Sequence, residues 1–265
     1  MLESSTLEPA SAETVRTELL WPDPPADLRL QSAEVHVFAT WLDACRTIDR
    51  MRLFLSRDEK LRAGRFRFER DRNRFIVARA WLRAVLAHYL EISPAKIVFS
   101  YGPSGKPVLA GALAGSDLQF NLAHSGALAL LAVTTTAPIG IDVEHTRSIP
   151  EAEQLVCRFF SPREADFFHE LEADARPAAF FNLWTRKEAL LKATGEGIAH
   201  SLNRVEVSFL SHEPARLLSL PPGTLPLSRW TLRELHPAMG FTAALAVASF
   251  PILLRSFSWP TEANL

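Results

Sequence analysis

Cysteine is scarce in this 265-residue chain: there are two, Cys45 and Cys157, with no CxxC pair and no Cys/His ligand spacing. That excludes a disulfide framework and a thiolate zinc site, and it fits a reducing compartment, so a cytoplasmic location is expected. An excess of one charge sign is also missing. Twenty-nine Lys and Arg face thirty Asp and Glu, a formal net charge of −1, so the chain as a whole is no polycation built to coat nucleic acid. No apolar run has the length of a membrane span; residues 241–254 come nearest and are broken by Pro251. The opening MLESSTLEPASAET lacks the basic start and apolar core of a secretory signal. What the chain does have is 48% hydrophobic residues, enough for one large core or two small ones.

Residues 1–33 are rich in Pro, Ser, Thr, Asp and Glu without a sustained apolar period, and read as a poorly ordered arm. Residues 33–39 alternate like a strand, and residues 43–56 and 71–90 are helical in pattern. In the second helix Phe75, Ala78, Leu82, Leu86 and Tyr89 share one stripe while Arg72, Arg79 and Arg83 share another, which predicts a basic outer face. After a strand-like IVFS at 97–100, YGPSGKP at 101–107 is loop chemistry. Strands are expected at 118–122, 127–134 and 139–144, with Pro138 as the domain boundary. Beyond it come a helix at 149–160, a capping box at Ser161-Pro-Arg-Glu164, and a helix at 176–194 ending at Gly195. Strands are expected again at 205–209, 230–235 and 241–250. No internal sequence repeat stands out, and the mixture without strict βαβ alternation predicts an α+β fold of two units, residues 34–137 and 138–265.

Several residues could carry chemistry. On a strand, Asp142 and Glu144 of GIDVE (140–144) project from one face while Ile141 and Val143 face the other way. Two adjacent carboxylates suit a hard cation such as magnesium, although a solvated edge strand has the same pattern. On the helix, Trp184, Glu188 and Lys192 lie one turn apart. Glu188 and Lys192 form a helical ion pair worth only about 0.2–0.5 kcal/mol, or else a third metal-binding acid and a phosphate contact, with Lys187 as a second candidate cation. Between residues 57 and 83, nine arginines and Lys60 exceed the acids by six charges, a local basic surface for a polyanion. Arg74 lies near a helix start, where anions are also favoured. In FNLAHS (120–125), His124 and Ser125 fall in an expected turn from which they can reach a ligand.

Taken in order, GKP (105–107), FNLAHS, GIDVE, FFSPRE (159–164) and WTRKEALLKATGEG (184–197) resemble the 4′-phosphopantetheinyl transferases of the surfactin-synthetase-activating type. The resemblance runs from about residue 35 to 250 and leaves out the N-terminal arm. It implies two similar α/β subdomains related by a pseudo-twofold axis, with magnesium and the co-substrate coenzyme A in the cleft between them. It makes Asp142, Glu144 and Glu188 the metal-binding acids and sets Lys192 on the pyrophosphate. Arg62, Arg74, His124 and Ser125 are implied around the phosphates, and Lys106 near the adenosine. Two positions depart from the pattern. Ala123 stands where relatives have serine, which removes one hydroxyl from the phosphate site, and Glu59 stands where a basic residue aligns, with Lys60 beside it.

The implied reaction is attack by a serine of an apo acyl- or peptidyl-carrier protein on coenzyme A, with Asp142, Glu188 and Lys192 as the catalytic group and Glu188 taking the serine proton. Adenosine 3′,5′-bisphosphate is released. A chain holding both sides of the cleft is expected to work as a monomer. Three other readings use the same residues: a nucleic-acid-binding module built on the arginines, a carrier-binding protein without catalysis, and a magnesium-dependent phosphohydrolase. The first leaves GIDVE and WTRKEALLK unexplained.

Overall fold

A computed structural model describes residues 19–195 and 202–259. The chain first forms β1 (Glu34–Trp41), the short helices α1 (Ile48–Arg52) and α2 (Arg57–Ala63), and the long helix α3 (Glu69–Leu90). A small ribbon, β2 (Phe99–Tyr101) and β3 (Pro107–Leu109), leads to the hairpin β4 (Gln119–Ser125) and β5 (Leu128–Thr134). The same sequence of elements then recurs: β6 (Ile139–His145), α4 (Ala152–Phe159), α5 (Pro162–His169), and α6 (Arg176–Thr194). A ribbon, β7 (Glu206–Val207) and β8 (Leu217–Ser219), and a hairpin, β9 (Thr231–Leu235) and β10 (Phe241–Val247), complete the second unit.

Strand order shows the pseudo-twofold relation directly. The first unit runs β1-β5-β4 and the second β6-β10-β9, every neighbouring pair antiparallel. Pro138 lies in the connection between β5 and β6. A last strand, β11 (Leu253–Ser258), returns to the first sheet and pairs in parallel with β1, so this sheet has four strands and the other three. The beginning of the expected arm is outside the described residues. Its later part is packed: Leu28 is buried, Leu19 bridges to Ala238, and the Trp21 carbonyl accepts from Ser258 Oγ.

The two sheets bury a shared apolar layer, with Val37, Ala39, Leu130 and Ala132 of one meeting Ile141, Val143 and Leu245 of the other. On the far side α3 covers the first sheet and α6 the second. β5 therefore has an apolar layer on both faces, and all seven of its residues are buried. Either helix is likewise enclosed on more than one side, and this corrects the basic outer face expected for α3. Arg79 and Arg83 are buried, with 7% and 1% exposure, and both bond to buried Glu59 on α2. The helical period was right about the apolar stripe. It could not show that α2 supplies a carboxylate on the opposite side.

Glu59 and Glu164 occupy equivalent places. Each closes a capping box, accepting from the Ser56 or Ser161 amide at 3.0 Å, and each neutralises cations on the long helix that follows: Arg79 and Arg83 for Glu59, Lys187 for Glu164. The internal repeat is this S-x-x-E box and its later basic partner, too sparse a pattern to stand out as sequence similarity.

Candidate active site

The site lies where β4 of the first unit runs beside β6 of the second. Side chains join the strands here: Asn121 Oδ1 accepts from the Ile141 amide at 2.8 Å, and Ser125 Oγ accepts from the His145 amide at 3.1 Å. Ser125 also donates to Glu144 Oε2 at 2.7 Å. Ser125 thus orients the outer acid of GIDVE. His124 belongs to β4 itself, and the hairpin turn is Gly126-Ala127, with Gly126 at φ 58°.

Gly140 is the reason α6 comes so close to β6. A Cβ at this position would lie 2.0 Å from the Ala189 carbonyl oxygen and 2.4 Å from the Ala193 amide nitrogen. Direct seating of the helix on the strand brings Glu188 and Lys192 over Asp142. Lys192 Nζ donates to Asp142 Oδ1 at 2.6 Å. Glu188 is 3% exposed, and its Oε1 has no hydrogen-bond partner; neither has the buried Oδ2 of Asp142.

Burial raises the pKa of Glu188 to about 7, with Asp142 and Glu144 adding repulsion and Lys192 opposing them. Burial likewise raises Asp142 to about 6, against the attraction of Lys192. Two buried acids with orphaned oxygens, each raised further by a neighbouring carboxylate, are a donor set short of positive charge. Oxygen donors of this kind fit a hard divalent cation. Among the described residues no group of three or more His, Cys, Asp or Glu is already closed to metal-holding geometry. The positive charge nearest Asp142 is the Lys192 ammonium.

His124 faces solvent beside this cluster, its pKa lowered by packing at its base and then by Lys192 and Arg74, with Glu144 working the other way. Arg74 is held in a two-pronged pair with Asp43, at 2.8 and 2.5 Å. Arg62 is exposed, 5.2 Å above the Phe75 ring, and lines a cleft of about 810 Å³ with Arg65, Phe66, Tyr101 and Gly105. Tyr101 was missed by sequence reasoning, its one signal being an aromatic at the head of a Gly/Pro loop, whereas Arg65 belongs to the basic segment of nine arginines. Glu59 also borders this cleft, but its carboxylate is engaged by Arg79 and Arg83.

Three further placements matter. Lys187 does not face the acids: it is fully buried and donates to Glu164 and to the Leu202 carbonyl. This corrects its candidacy as a phosphate contact, since residues 187 and 188 point about 100° apart on a helix. Lys106 donates to the Ile139 and Lys192 carbonyls. Ala123 is buried in the layer between the sheets. Glu196 and Gly197 of the last motif lie outside the described residues.

Comparison with known proteins agrees in both units. Residues 138–248 match the 4′-phosphopantetheinyl transferase superfamily, and residues 39–136 match the 4′-phosphopantetheinyl transferase N-terminal family. The chain is 42% identical to the 4′-phosphopantetheinyl transferase HetI of Nostoc sp. over 87% of its own length and 94% of the relative's. It is 33% identical to a 4′-phosphopantetheinyl transferase of Bacillus pumilus, covering 69% of this chain and 76% of that one. Against the transferase Sfp of Bacillus subtilis the identity is 28%, over 77% and 87% of the two chains.

Proposed function

Because this chain belongs to the 4′-phosphopantetheinyl transferase superfamily, we propose that its β4–β6–α6 junction is the centre at which phosphopantetheine is transferred. The protein moves the 4′-phosphopantetheine group of coenzyme A to a serine of a carrier protein and releases adenosine 3′,5′-bisphosphate. The observation that carries the placement is the pair of partnerless buried oxygens, Asp142 Oδ2 and Glu188 Oε1, beside the Lys192 ammonium.

In this reading Asp142, Glu144 and Glu188 hold magnesium, with Ser125 fixing the orientation of Glu144. A divalent cation there offsets charge on the pyrophosphate. Lys192 leaves Asp142 for the pyrophosphate when coenzyme A binds, exchanging one anion for another. Glu188 accepts the proton from the attacking serine hydroxyl. The serine oxygen bonds to the phosphorus bearing the pantetheine arm, and the bond from this phosphorus to the adenylate oxygen breaks. Arg62, Arg74 and His124 supply the phosphate-binding side, and the Tyr101 cleft the adenosine side. Arg74 gives up Asp43 to do so.

The motif set and the likeness to Sfp favour the surfactin-synthetase-activating type, with acyl- and peptidyl-carrier proteins as partners. Two free cysteines favour the cytoplasm, and the presence of both pseudo-symmetric units in one chain favours a monomer. The test is to incubate the protein with coenzyme A, magnesium and several apo carriers, then weigh each carrier by mass spectrometry. A gain of one phosphopantetheine that disappears with a chelator is the expected result. No gain on any carrier would sink the reading.

A further inference from the structure

Lys106 sits in the loop between β2 and β3, in the first unit, yet both hydrogen bonds of its side chain are made in the second. Its Nζ donates to the Ile139 carbonyl at 2.8 Å and to the Lys192 carbonyl at 2.7 Å. These carbonyls belong to the start of β6 and the last turn of α6. The Lys192 carbonyl is among the last four of its helix, which have no partner within the helix. A cation there also meets the negative end of the helix dipole.

We infer that Lys106 is a positioning residue: it fixes the backbone of Lys192 over β6, so that the Lys192 side chain is aimed at Asp142. Three contacts then hold one junction. Gly140 lets α6 touch β6, Lys106 clamps the end of that contact from the other unit, and Lys192 spans it on the inside at 2.6 Å. The same clamp couples the two ends of the cleft, because Gly105, the neighbour of Lys106, lines the cavity shared with Arg62 and Tyr101. A side chain committed in this way is not a contact to adenosine, as the family resemblance implies for this position. Burial lowers the pKa of its amine to about 8, in keeping with a group drawn out of solvent to serve the backbone.

The kinetic consequence rests on the transferase reading; the clamp itself does not, so two measurements are needed. In the first, the full-length protein without substrate is reductively methylated and the lysines are read by peptide mass spectrometry. Lys106 should react roughly tenfold more slowly than exposed Lys60 and Lys96, with or without coenzyme A, because reaction requires local opening. Equal rates, or protection only on adding coenzyme A, would overturn the clamp. In the second, Lys106→Met keeps the stem and removes the donors. Its turnover should fall roughly tenfold while KM for coenzyme A, and its calorimetric affinity, stay within about twofold. Amide exchange in the last turn of α6 should quicken in parallel. A tenfold loss of coenzyme A affinity with turnover intact would overturn the proposal and make Lys106 a ligand contact. If wild-type protein loads no carrier, the transferase reading falls, while methylation and exchange still decide the clamp. A Lys106→Met chain that fails to fold leaves the methylation of the wild-type protein to decide.

Discussion

Lys192 Nζ rests 2.6 Å from Asp142 Oδ1, while Asp142 Oδ2 and the neighbouring Glu188 Oε1 are both buried without a hydrogen-bond partner. The ammonium neutralises part of a site that holds three carboxylates, and it leaves Glu188 unpaired. Much of the behaviour expected of the metal-free protein follows from that incomplete balance.

Glu188→Gln should stabilise the metal-free protein while abolishing turnover. The folded pKa of Glu188, about 7, lies above its ordinary 4.5, so the folded state holds the proton more tightly than the unfolded chain. Its favourable contribution is therefore complete below pH 4.5 and lost as pH rises to about 7. At pH 8 the variant should gain on the order of 1–3 kcal/mol in urea titrations, with no gain near pH 4. Carrier loading should fall by roughly a hundredfold or more. A variant that kept near-normal turnover would remove Glu188 from the proton transfer.

Gly140→Ala tests the seating of α6 on β6. A methyl group 2.0 Å from the Ala189 carbonyl oxygen cannot be accommodated by a side-chain rotation, because backbone is in the way. The helix must lift from the strand. The expected loss is about 3 kcal/mol or more by chemical denaturation. Any folded fraction should load carrier poorly, since Glu188 and Lys192 move with the helix.

Glu59→Gln should cost roughly 3–5 kcal/mol, because it leaves Arg79 and Arg83 buried without their counter-charge. The carboxylate pKa is held below its ordinary value: burial pushes it up, but the two arginines and the Ser56 amide outweigh that. The stability it contributes is thus present above pH 4.5 and lost as pH falls through the folded value. The gap between wild type and variant should narrow in acid, as read by urea titrations from pH 7 down to pH 3. Glu59→Lys, which supplies the basic residue that the family resemblance implies at this position, should be less stable still and gain no affinity for coenzyme A.

Ala123→Ser separates two possible uses of the missing hydroxyl. Asn121, Ala123 and Ser125 alternate onto one face of β4, and the outer two accept amides of Ile141 and His145. Between them lies the Val143 amide, which helps hold down the proton affinity of the Asp142 carboxyl. A hydroxyl at 123 should meet that amide rather than a phosphate, changing stability by under about 1 kcal/mol and coenzyme A affinity by less than about threefold. A tenfold gain in affinity by calorimetry would put the hydroxyl on the ligand instead.

Local pattern was enough wherever one residue's neighbours in the chain decide its state. The capping box at Ser161 and Glu164 forms both of its bonds. α6 ends with Gly195 at φ 78°, and the alternation in β6 turns Ile141 and Val143 into the apolar layer and Asp142 toward α6. The pattern failed where a distant element supplies the partner. Arg79 and Arg83 looked like an outer face, and Lys187 like a cleft cation, because nothing in the helical period reveals a carboxylate arriving from α2 or α5.

By itself, then, the sequence determined the two rounds of strand and helix, which rest on periodicity and capping, and the order of the motifs, whose family resemblance singled out the three acids. Only the tertiary structure decided which charges remain for a ligand. Glu59 and Glu164 consume three of the candidate cations inside the protein, and Lys106 is spent on two carbonyls. Buried charges must find partners, and those partners lie tens of residues away in the chain. Lys192 was left beside Asp142 because Gly140 allows a helix to lie where any side chain would have held it off.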